Sequence, residues 1–344
     1  MDRIISFGEI MLRLKSPGHE RFFQSPSLEA TFGGGEANVA VSLTLLGKQG
    51  VFVTALPANP VGDGAVNELR KYGVDVSHIR RTKGRVGLYF LETGANQRPS
   101  HVVYDREDSA VSLVKSGDFS WKEIFADASW FHITGITPAL SQSAADSAIE
   151  AVMEAKKAGL TVSVDLNYRK KLWNYGKTAP EVMRALVKYA DVIIANEEDI
   201  QKCLGIEETP VNVSSGNLDI DMYQKLTRRV KEEFPNLSHV AVTLRESRSA
   251  DRNGWSAAMS GKSGFYRSQK YEIDDIIDRV GGGDSFSAGL IFGLLEFPED
   301  EKYALEFAAA ASCLKHSIDG DFNLTKRAEV ESLCKGDGSG RVQR

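Results

Sequence analysis

The stretch Asp278–Ile291 reads DRVGGGDSFSAGLI, and it decides which fold the chain can adopt. Three consecutive glycines, Gly281, Gly282 and Gly283, remove every Cβ from a run of backbone, so their N–H groups can converge on one anion. The apolar residues that follow recur at helical spacing, which predicts a buried helix that begins at about Asp284. A glycine loop that opens a helix concentrates free N–H groups and the positive end of the helix dipole. The stretch therefore predicts a site for a phosphate group or a developing oxyanion.

Asp284 is the unusual member of this stretch, because a carboxylate repels phosphate. One interpretation makes Asp284 a base that takes a proton from a hydroxyl group while the neighbouring amides hold a phosphoryl group. The other makes it an N-cap, since Asp before an apolar helix commonly caps it. The residues of the stretch alone leave both interpretations open.

The composition is that of an ordinary globular protein of 344 residues, enough for one large domain or two smaller ones. A net charge of −5 without a basic cluster argues against nucleic acid or an anionic membrane surface as a partner. Acidic residues interrupt the N-terminal region where a signal peptide would carry its apolar core, and no apolar run approaches membrane-spanning length. Cys203, Cys313 and Cys334 are odd in number and widely spaced, so they indicate neither a disulfide framework nor a thiolate metal site. We therefore expect a cytoplasmic protein that binds no nucleic acid and no membrane.

Short apolar or β-branched runs alternate with amphipathic helical patterns along most of the chain. The predicted strands are Ile4–Phe7, Val51–Leu56, Trp130–Ile133, Thr161–Val164, Val192–Ala195 and Val240–Leu244. The predicted helices between them include Glu36–Leu46, Ser141–Ala158, Pro180–Tyr189 and Met222–Glu233. This alternation predicts an α/β fold, a doubly wound and mostly parallel sheet with helices on both faces.

Two segments, about 12–32 and 84–111, break this rhythm. The first is rich in polar and turn residues, and the second contains two more predicted strands, Val86–Leu91 and His101–Tyr104. We expect both to form a small β-layer against the main sheet, serving as a lid over a ligand, as a patch for dimerisation, or as both. Together with the rest of residues 1–335 they form one predicted domain, and the Gly-rich, polar residues 336–344 predict a disordered tail.

A second glycine motif lies near the N-terminus, where residues 31–40 read TFGGGEANVA. Gly33, Gly34 and Gly35 again precede a predicted helix, and Asn38 falls in its first turn, within reach of a ligand resting on the glycine backbone. A dinucleotide-binding loop does not fit, because Asn38 stands where that motif requires its third glycine. A Walker-type phosphate loop is absent as well.

Polar residues follow the predicted strands at the points where the strands end. These residues are Thr134-Gly135-Ile136, Asp165–Arg169, Asn196–Asp199 and Arg245-Glu246. Ligands of doubly wound sheets bind outside the carboxyl ends of the strands, so we expect these groups to line one crevice. Each residue also has a structural interpretation, since Asn196 could cap a helix and Asp165 could join a salt bridge.

Arg106 in the predicted lid and Arg169 below it suggest a ligand with an acid group. A guanidinium group can bond both oxygens of a carboxylate, so two arginines that converge on a cleft favour a planar anion. Either residue could instead be a solvated surface charge.

In these motifs the chain resembles the ribokinase-like (PfkB) carbohydrate kinases, and the resemblance covers almost its whole length. The motif at Gly33–Asn38 and the Asp-x-x-Gly-x-Gly-Asp motif at Asp278–Asp284 match the two signatures of that family in order and separation. The resemblance implies a ribokinase-like fold, an anion hole formed by Gly281, Gly282 and Gly283, and Asp284 as catalytic base. The family's Asn-x-x-Glu motif, which orders hydrated Mg²⁺, reads Asn196-Glu197-Glu198-Asp199 here, with Asp199 in place of the glutamate.

Within the family the chain is most similar to the kinases that act on 2-keto-3-deoxygluconate. The stretches Gly87–Tyr89, Tyr104–Arg106, Gly135–Ser141 and Asp165–Arg169 carry this likeness. It implies a set of substrate-binding residues: Gly33, Gly34, Gly35, Asn38, Tyr89, Tyr104, Arg106, Arg169 and Asp284. It implies ATP contacts from Asn196, Thr243, Arg245, Gly281, Gly283 and His316, and an Mg²⁺ ion held through water by Asn196 and Asp199. Arg245 is a departure, since the family often has glycine near this point.

The expected function is transfer of a phosphoryl group from ATP to the primary hydroxyl group of this sugar acid, by a homo-oligomer that dimerises through the lid. A fructokinase or another neutral-sugar kinase is the alternative within the family, and the two arginines argue against it. A non-catalytic sugar-acid sensor is the alternative from another class. Retention of Asp284 beside an intact glycine loop argues against a sensor, which needs neither.

Overall fold

A computed structural model describes residues 2–206 and 220–338 of the chain, whose strands form two separate sheets. The main sheet contains β1 Arg3–Phe7, β4 Gln49–Pro57, β5 Ile79–Thr82, β8 Trp130–Thr134, β9 Thr161–Asp165, β10 Val192–Ala195, β11 His239–Ser247, β12 Asn253–Ser260, β13 Phe265–Arg267 and β14 Tyr271–Ile273. The small sheet contains β2 Met11–Lys15, β3 Glu29–Gly33, β6 Gly87–Glu92 and β7 His101–Asp105.

The strand order of the main sheet is β13-β12-β11-β10-β9-β8-β1-β4-β5, with β14 also paired to β12. Every pair from β11 through β5 is parallel, whereas β12 and its partners are antiparallel. The predicted mostly parallel sheet is confirmed. The predicted strand Val240–Leu244 continues to Ser247, because its end pairs with β12.

The helices are α1 Gly35–Leu45, α2 Pro60–Lys71, α3 Trp121–Ile124, α4 Gln142–Lys157, α5 Ala179–Val187, α6 Glu197–Leu204, α7 Ile220–Glu233, α8 Gly282–Glu296, α9 Glu301–Lys315 and α10 Arg327–Cys334. Two short 3₁₀ turns span Ala110–Leu113 and Thr137–Ala139. None of the helices in the described ranges is both long enough and apolar enough to cross a membrane.

Helices cover both faces of the main sheet, as predicted. Ile5 of β1 belongs to the apolar core that also contains residues of α4 to α7, whereas its neighbour Ile4 belongs to the core with residues of α1, α8 and α9. Successive side chains of a strand point to opposite faces, so a strand buried on both sides is apolar throughout.

The small sheet has the order β3-β2-β6-β7 and uses the two segments that interrupt the alternation. The predicted strands Val86–Leu91 and His101–Tyr104 correspond to β6 and β7 within one residue at each end. The separate small sheet is thus confirmed, while its service as a lid and the single-domain organisation over 1–335 stay predictions. Residues 339–344 of the predicted tail lie outside the described residues.

Candidate active site

Helix α8 begins within the glycine stretch, at Gly282, two residues before the predicted start at Asp284. Gly281 precedes its first turn in the left-handed conformation (φ 82°), and a Cβ on Gly281 would lie 2.0 Å from the backbone oxygen of Asp321. A Cβ on Gly282 would lie 3.0 Å from the ring of His316. A Cβ on Gly283 would meet nothing within 4 Å. Gly281 is therefore required by packing and by its backbone conformation, and a Cβ on Gly282 would require the His316 ring to shift. Gly283 leaves open space beside the loop.

Asp284 lies inside the first turn of α8 and does not cap it, since Gly281 occupies the N-cap position and no side chain caps this helix. The N-cap interpretation of Asp284 is therefore wrong. Instead, Asn38 Nδ2 donates a hydrogen bond of 2.6 Å to Asp284 Oδ2. Asn38 Oδ1 in turn accepts from the N–H group of Gly34 at 3.1 Å. Two motifs far apart in sequence thus meet at one carboxylate.

The pKa of Asp284 is raised to about 7. Burial of the carboxylate is the main cause, and the hydrogen bond from Asn38 works in the opposite direction. The charge of Asp321 adds a smaller rise. A carboxylate with a pKa near neutrality is matched to accepting a proton during a reaction.

The glycines of the N-terminal motif allow other parts of the chain to pack directly against their backbone. A Cβ on Gly34 would lie 2.0 Å from the backbone oxygen of Glu9, and one on Gly33 would lie 2.0 Å from Asp321 Oδ2. Gly35 is roomier, since the nearest atom to its Cβ position, Thr134 Cγ2, is 3.2 Å away. Asp321 thus packs against glycines of both motifs, Gly33 through its carboxylate and Gly281 through its backbone.

A crevice of about 620 Å³ opens above this contact at the carboxyl ends of the parallel strands. It brings together most of the predicted residues: Gly34, Gly35, Asn38, Tyr89, Tyr104, Arg106, Asp165, Arg169, Asn196, Asp199, Thr243, Arg245, Gly281, Gly282, Gly283 and Asp284. The prediction that polar residues after the strands share one crevice is correct for most of them. The residues of these groups that do not line it are Thr134, Gly135, Leu166, Tyr168 and Glu246. Thr134 bonds Glu36 instead, and Glu246 pairs with Lys270.

Gly33 and His316 were predicted to contact ligands, but neither lines this crevice. The His316 side chain is buried behind Gly282, its ring lies 5.6 Å from that of Trp255, and its Nδ1 lies 2.8 Å from the backbone oxygen of Ser312. Burial lowers the pKa of His316 to about 4. His316 is therefore a neutral packing residue at the back of the glycine loop.

The two arginines that line the crevice differ in burial and in their hydrogen-bond partners. Arg106 is buried and donates from Nε to Glu9 Oε2 at 2.8 Å, with a second bond from its Nη2 to the same oxygen. Arg169 is exposed, and its bond within the chain goes to the backbone oxygen of Tyr168 at 2.9 Å. Arg106 is thus fixed by Glu9, which the sequence analysis missed, whereas Arg169 lies at the surface of the crevice, where its charge lowers the pKa values of Asp165, Asp199 and Asp284.

A buried charge network below the crevice was also missed. Arg13 of β2 pairs with Asp278 and with Asp321, the latter at 2.8 Å, and the hydroxyl group of Tyr89 donates to Asp321. Burial raises the pKa of Asp321, and the guanidinium group of Arg13 works against that rise. The network joins the small sheet, through Arg13 and Tyr89, to the start of the glycine stretch at Asp278.

Asn196 and Asp199 form a reciprocal cap at the start of α6. Asn196 Oδ1 accepts from the Asp199 N–H group at 2.8 Å, and Asp199 Oδ2 accepts from the Asn196 N–H group at 3.2 Å. The capping interpretation of Asn196 is therefore correct. Burial raises the pKa of Asp199 to about 6, and burial raises that of the neighbouring Asp165 well above its usual value.

The oxygen atoms at this end of the crevice suit a magnesium ion that keeps most of its water. Within the two described ranges no three His, Cys, Asp or Glu side chains are grouped as a protein-made metal cage would require. Mg²⁺ bound beside phosphates is normally held by one or two carboxylates, with water and phosphate oxygens as its other ligands. Asn196, Glu197, Glu198 and Asp199 line the crevice and provide such oxygens.

Comparison with known proteins places the chain in a family. A model of the pfkB family of carbohydrate kinases matches residues 1–321. A 2-dehydro-3-deoxygalactonokinase of Haloferax volcanii is 32% identical over 340 residues, which cover 98% of each chain. A 2-dehydro-3-deoxygluconokinase of Bacillus subtilis is 27% identical over 332 residues, which cover 96% of this chain and 94% of that one. The crystal structure of a 2-dehydro-3-deoxygluconokinase from Thermotoga maritima matches with a TM-score of 0.91 and 47% identity, over 97% of this chain and 98% of that one. The chain therefore belongs to the pfkB family of carbohydrate kinases.

Proposed function

We propose that the protein is an ATP-dependent kinase that phosphorylates the primary hydroxyl group of 2-keto-3-deoxygluconate, that is, 2-dehydro-3-deoxy-D-gluconate. The relatives from Bacillus subtilis and Thermotoga maritima carry the name of this activity. The observation that carries the proposal is the contact between Asn38 and Asp284. It unites two glycine motifs at a carboxylate whose pKa is about 7, in a crevice that Arg106 and Arg169 also line.

In this mechanism Asp284 accepts the proton of the sugar hydroxyl group as that oxygen attacks the γ-phosphorus of ATP, and ADP leaves. The backbone N–H groups of the Gly281–Gly283 loop bind the oxygens of the phosphoryl group during transfer. Asn38 holds the Asp284 carboxylate in place through its amide. Phosphoryl transfer is accelerated mainly by such positioning and electrostatics.

We infer that Mg²⁺ accompanies ATP and is held through water by Asn196 and Asp199. A bound magnesium ion would neutralise phosphate charge. We propose contact through water because the Asp199 carboxylate is buried and each of its oxygens is held by a backbone N–H group, from Asn196 and from Tyr168. Thr243, Arg245, Trp255 and Arg279 line the same crevice and are the proposed contacts on the nucleotide side.

We infer that the sugar acid is held by the arginines and by the aromatic pair of the small sheet. The rings of Tyr89 and Tyr104 lie 5.9 Å apart. Arg169 can turn its guanidinium group to a carboxylate, and Arg106 keeps Nη1 available while Glu9 holds its other nitrogens. A neutral sugar would leave both cations without a ligand partner, which argues against a fructokinase.

The assembly that we propose is a cytoplasmic homo-oligomer that dimerises through the small sheet. Strand β7 is an edge of that sheet, and its Val103 and Tyr104 are each 42% exposed. Edge strands with exposed apolar side chains are suited to pairing with another chain.

A substrate panel tests the function directly. Purified protein, ATP and Mg²⁺ would be incubated with 2-keto-3-deoxygluconate, its galactonate epimer, gluconate, fructose and ribose, and ADP release would be measured with a coupled assay. We expect the highest kcat/KM with a 2-keto-3-deoxy sugar acid. The galactonate epimer is included because the relative from Haloferax volcanii carries that name. Faster turnover of fructose would overturn the sugar-acid assignment, and absence of acceptor-dependent ADP release would favour the sensor.

A further inference from the structure

Lys315, the last residue of α9, has a completely buried side chain (0% exposed). Its Nζ donates to the backbone oxygen of Ile318 at 2.9 Å and approaches that of Asp278 at 3.4 Å. Asp278 is the first residue of the glycine stretch, and Ile318 is the first residue of the loop that contains Asp321. Lysine is almost never fully buried unless it is paired, so a buried ammonium group between these two segments requires an explanation.

The charges around Lys315 provide that explanation. Asp278, Asp321 and Arg13 are buried beside it and interact with its charge, and so does the more exposed Asp319, which forms an ion pair with Lys15. Apart from that neutral pair, two carboxylates and one guanidinium group leave a deficit of one positive charge, which the Lys315 ammonium group offsets. Burial lowers the pKa of Lys315, and the carboxylates of Asp278 and Asp321 oppose this by favouring its charged form.

The same ammonium group lies directly behind the phosphoryl-binding loop. A Cβ built on Gly281 would lie 3.4 Å from Lys315 Cε. Charges act over longer distances in a buried environment than in water. Without Lys315, the uncompensated carboxylate charge would lie just behind the amides of Gly281, Gly282 and Gly283, where it would repel a phosphoryl group.

We propose that Lys315 is a positioning residue for phosphoryl transfer, whose ammonium group joins the glycine stretch to the Ile318–Asp321 loop and balances the carboxylates behind the anion hole. This rests on the kinase function proposed above. Lys315 touches neither substrate. It acts through the Gly281–Gly283 backbone, so its loss lowers kcat with little effect on the KM for the sugar.

Three variants test this role. Lys315→Ala removes the ammonium group and leaves space, Lys315→Met removes it and fills the space, and Lys302→Ala is a matched control on the exposed face of α9. We expect kcat to fall at least about tenfold in both Lys315 variants and to stay unchanged in the control. Thermal unfolding would be recorded for all three.

Chemical rescue separates the charge from the packing. Ammonium or methylammonium chloride should restore part of kcat in Lys315→Ala, with saturation, but not in Lys315→Met, whose side chain blocks the space. Tetramethylammonium chloride at the same ionic strength is too large and should restore nothing. Wild-type kcat in Lys315→Met, or equal rescue by all three salts, would overturn the proposal.

A binding measurement keeps this test independent of the sugar acceptor. The ratio of the affinities for the ATP analogue AMP-PNP and for ADP reports how well the loop receives a γ-phosphate. We expect this ratio to fall in Lys315→Met relative to wild type, and an unchanged ratio would count against the proposal even if Lys315→Ala failed to fold. Failure of the kinase function itself would appear separately, as a wild-type protein inactive on every sugar of the panel.

Discussion

The side-chain nitrogen Nδ2 of Asn38 lies 2.6 Å from Oδ2 of Asp284, although 246 positions separate the two residues in the chain. This bond fixes the carboxylate at the start of α8 over the N-terminal glycine motif. It also stabilises the ionised form of Asp284 against the effect of burial, so the same contact sets both the direction and the basicity of the proposed base.

Asp284→Asn should lower kcat by roughly 10²–10⁴-fold, the usual contribution of a general base, while the protein stays folded. The pKa of Asp284 in the folded state, about 7, lies above its ordinary 3.8, so the folded state binds the proton more tightly. The stability that this group contributes is therefore lost as pH rises from about 4 through 7. The Asn variant lacks this loss, and its unfolding temperature relative to wild type should rise between pH 4 and pH 8. Turnover close to wild type would show that Asp284 is not the base.

The pH dependence of kcat/KM should show an acidic limb with an apparent pKa near 7, with activity rising as Asp284 loses its proton. Asn38→Ala removes the donor that stabilises the carboxylate, which should move this limb to higher pH. The measurement is a kcat/KM profile from pH 5 to pH 9 for both proteins. If the acidic limb of the Asn38→Ala profile has the same apparent pKa as that of wild type, a group other than Asp284 controls it.

Replacing Arg169 with Ala should reduce kcat/KM for 2-keto-3-deoxygluconate about ten- to a hundredfold, since a charge-assisted hydrogen bond contributes about 1.5–3 kcal/mol. The effect on any residual fructose activity should be much smaller, because fructose has no carboxylate. Arg169 is exposed, but its charge offsets the buried carboxylates of Asp165, Asp199 and Asp284, so we expect a small fall in the unfolding temperature. Lysine should rescue only in part, because an ammonium group lacks the two-pronged geometry. Equal losses on both sugars would assign Arg169 to ATP or to the fold.

Arg106→Ala should show the same substrate dependence together with a loss of stability. It removes the partner of the Glu9 carboxylate, which stays buried. The variant Glu9→Gln with Arg106→Ala is the matched control, since it removes the unpaired charge as well. We expect the double variant to regain stability without regaining activity on the sugar acid. Recovery of that activity would contradict a direct contact between Arg106 and the substrate.

Arg13→Met should destabilise the protein by about 3–5 kcal/mol, because the buried carboxylates of Asp278 and Asp321 would lose their guanidinium partner. Urea unfolding of wild type and variant measures this loss. Lys71→Met, which alters an exposed lysine on α2, is the control and should change stability by less than about 0.5 kcal/mol. A small effect at Arg13 would mean that the network is held together by its other members.

Hydrogen exchange should slow in segments 12–32 and 84–111 when the sugar acid binds, if these segments close over the crevice, while the main sheet changes little. The comparison requires the same peptides with and without ligand. Unchanged exchange in both segments would identify the small sheet as a static platform for dimerisation.

Local sequence was sufficient for the features that depend on local chemistry. The glycine triplet at the start of α8 and the alternation of strands with helices are both visible as short patterns, and both correspond to the structure. Strand β12 was missed because NGWSAAMS contains no β-branched residue, so its pairing with β11 decides its conformation. Asp321 was missed because its contacts with the two glycine motifs are purely tertiary.

The position of His316 outside the crevice has a physical cause as well. Helix α9 reads EKYALEFAAAASCLK, and its run of alanines gives little indication of which face is buried. Helical spacing therefore could not show that the following His316 turns into the interior behind Gly282. Arg106 illustrates the opposite case, since its position in the crevice was predicted but its partner Glu9 was not.

The bond between Arg13 and Asp321 spans 308 residues and has a consequence for how the enzyme is made. A ribosome delivers the chain from its N-terminus, so both glycine motifs and the proposed base exist before Asp321 has been synthesised. Until then Gly33 and Gly281 lack the surface against which they pack. A nascent or prematurely terminated chain that ends before residue 321 thus contains the signature motifs of a kinase without the means to align them, and we expect catalytic competence only after residue 321 has been synthesised.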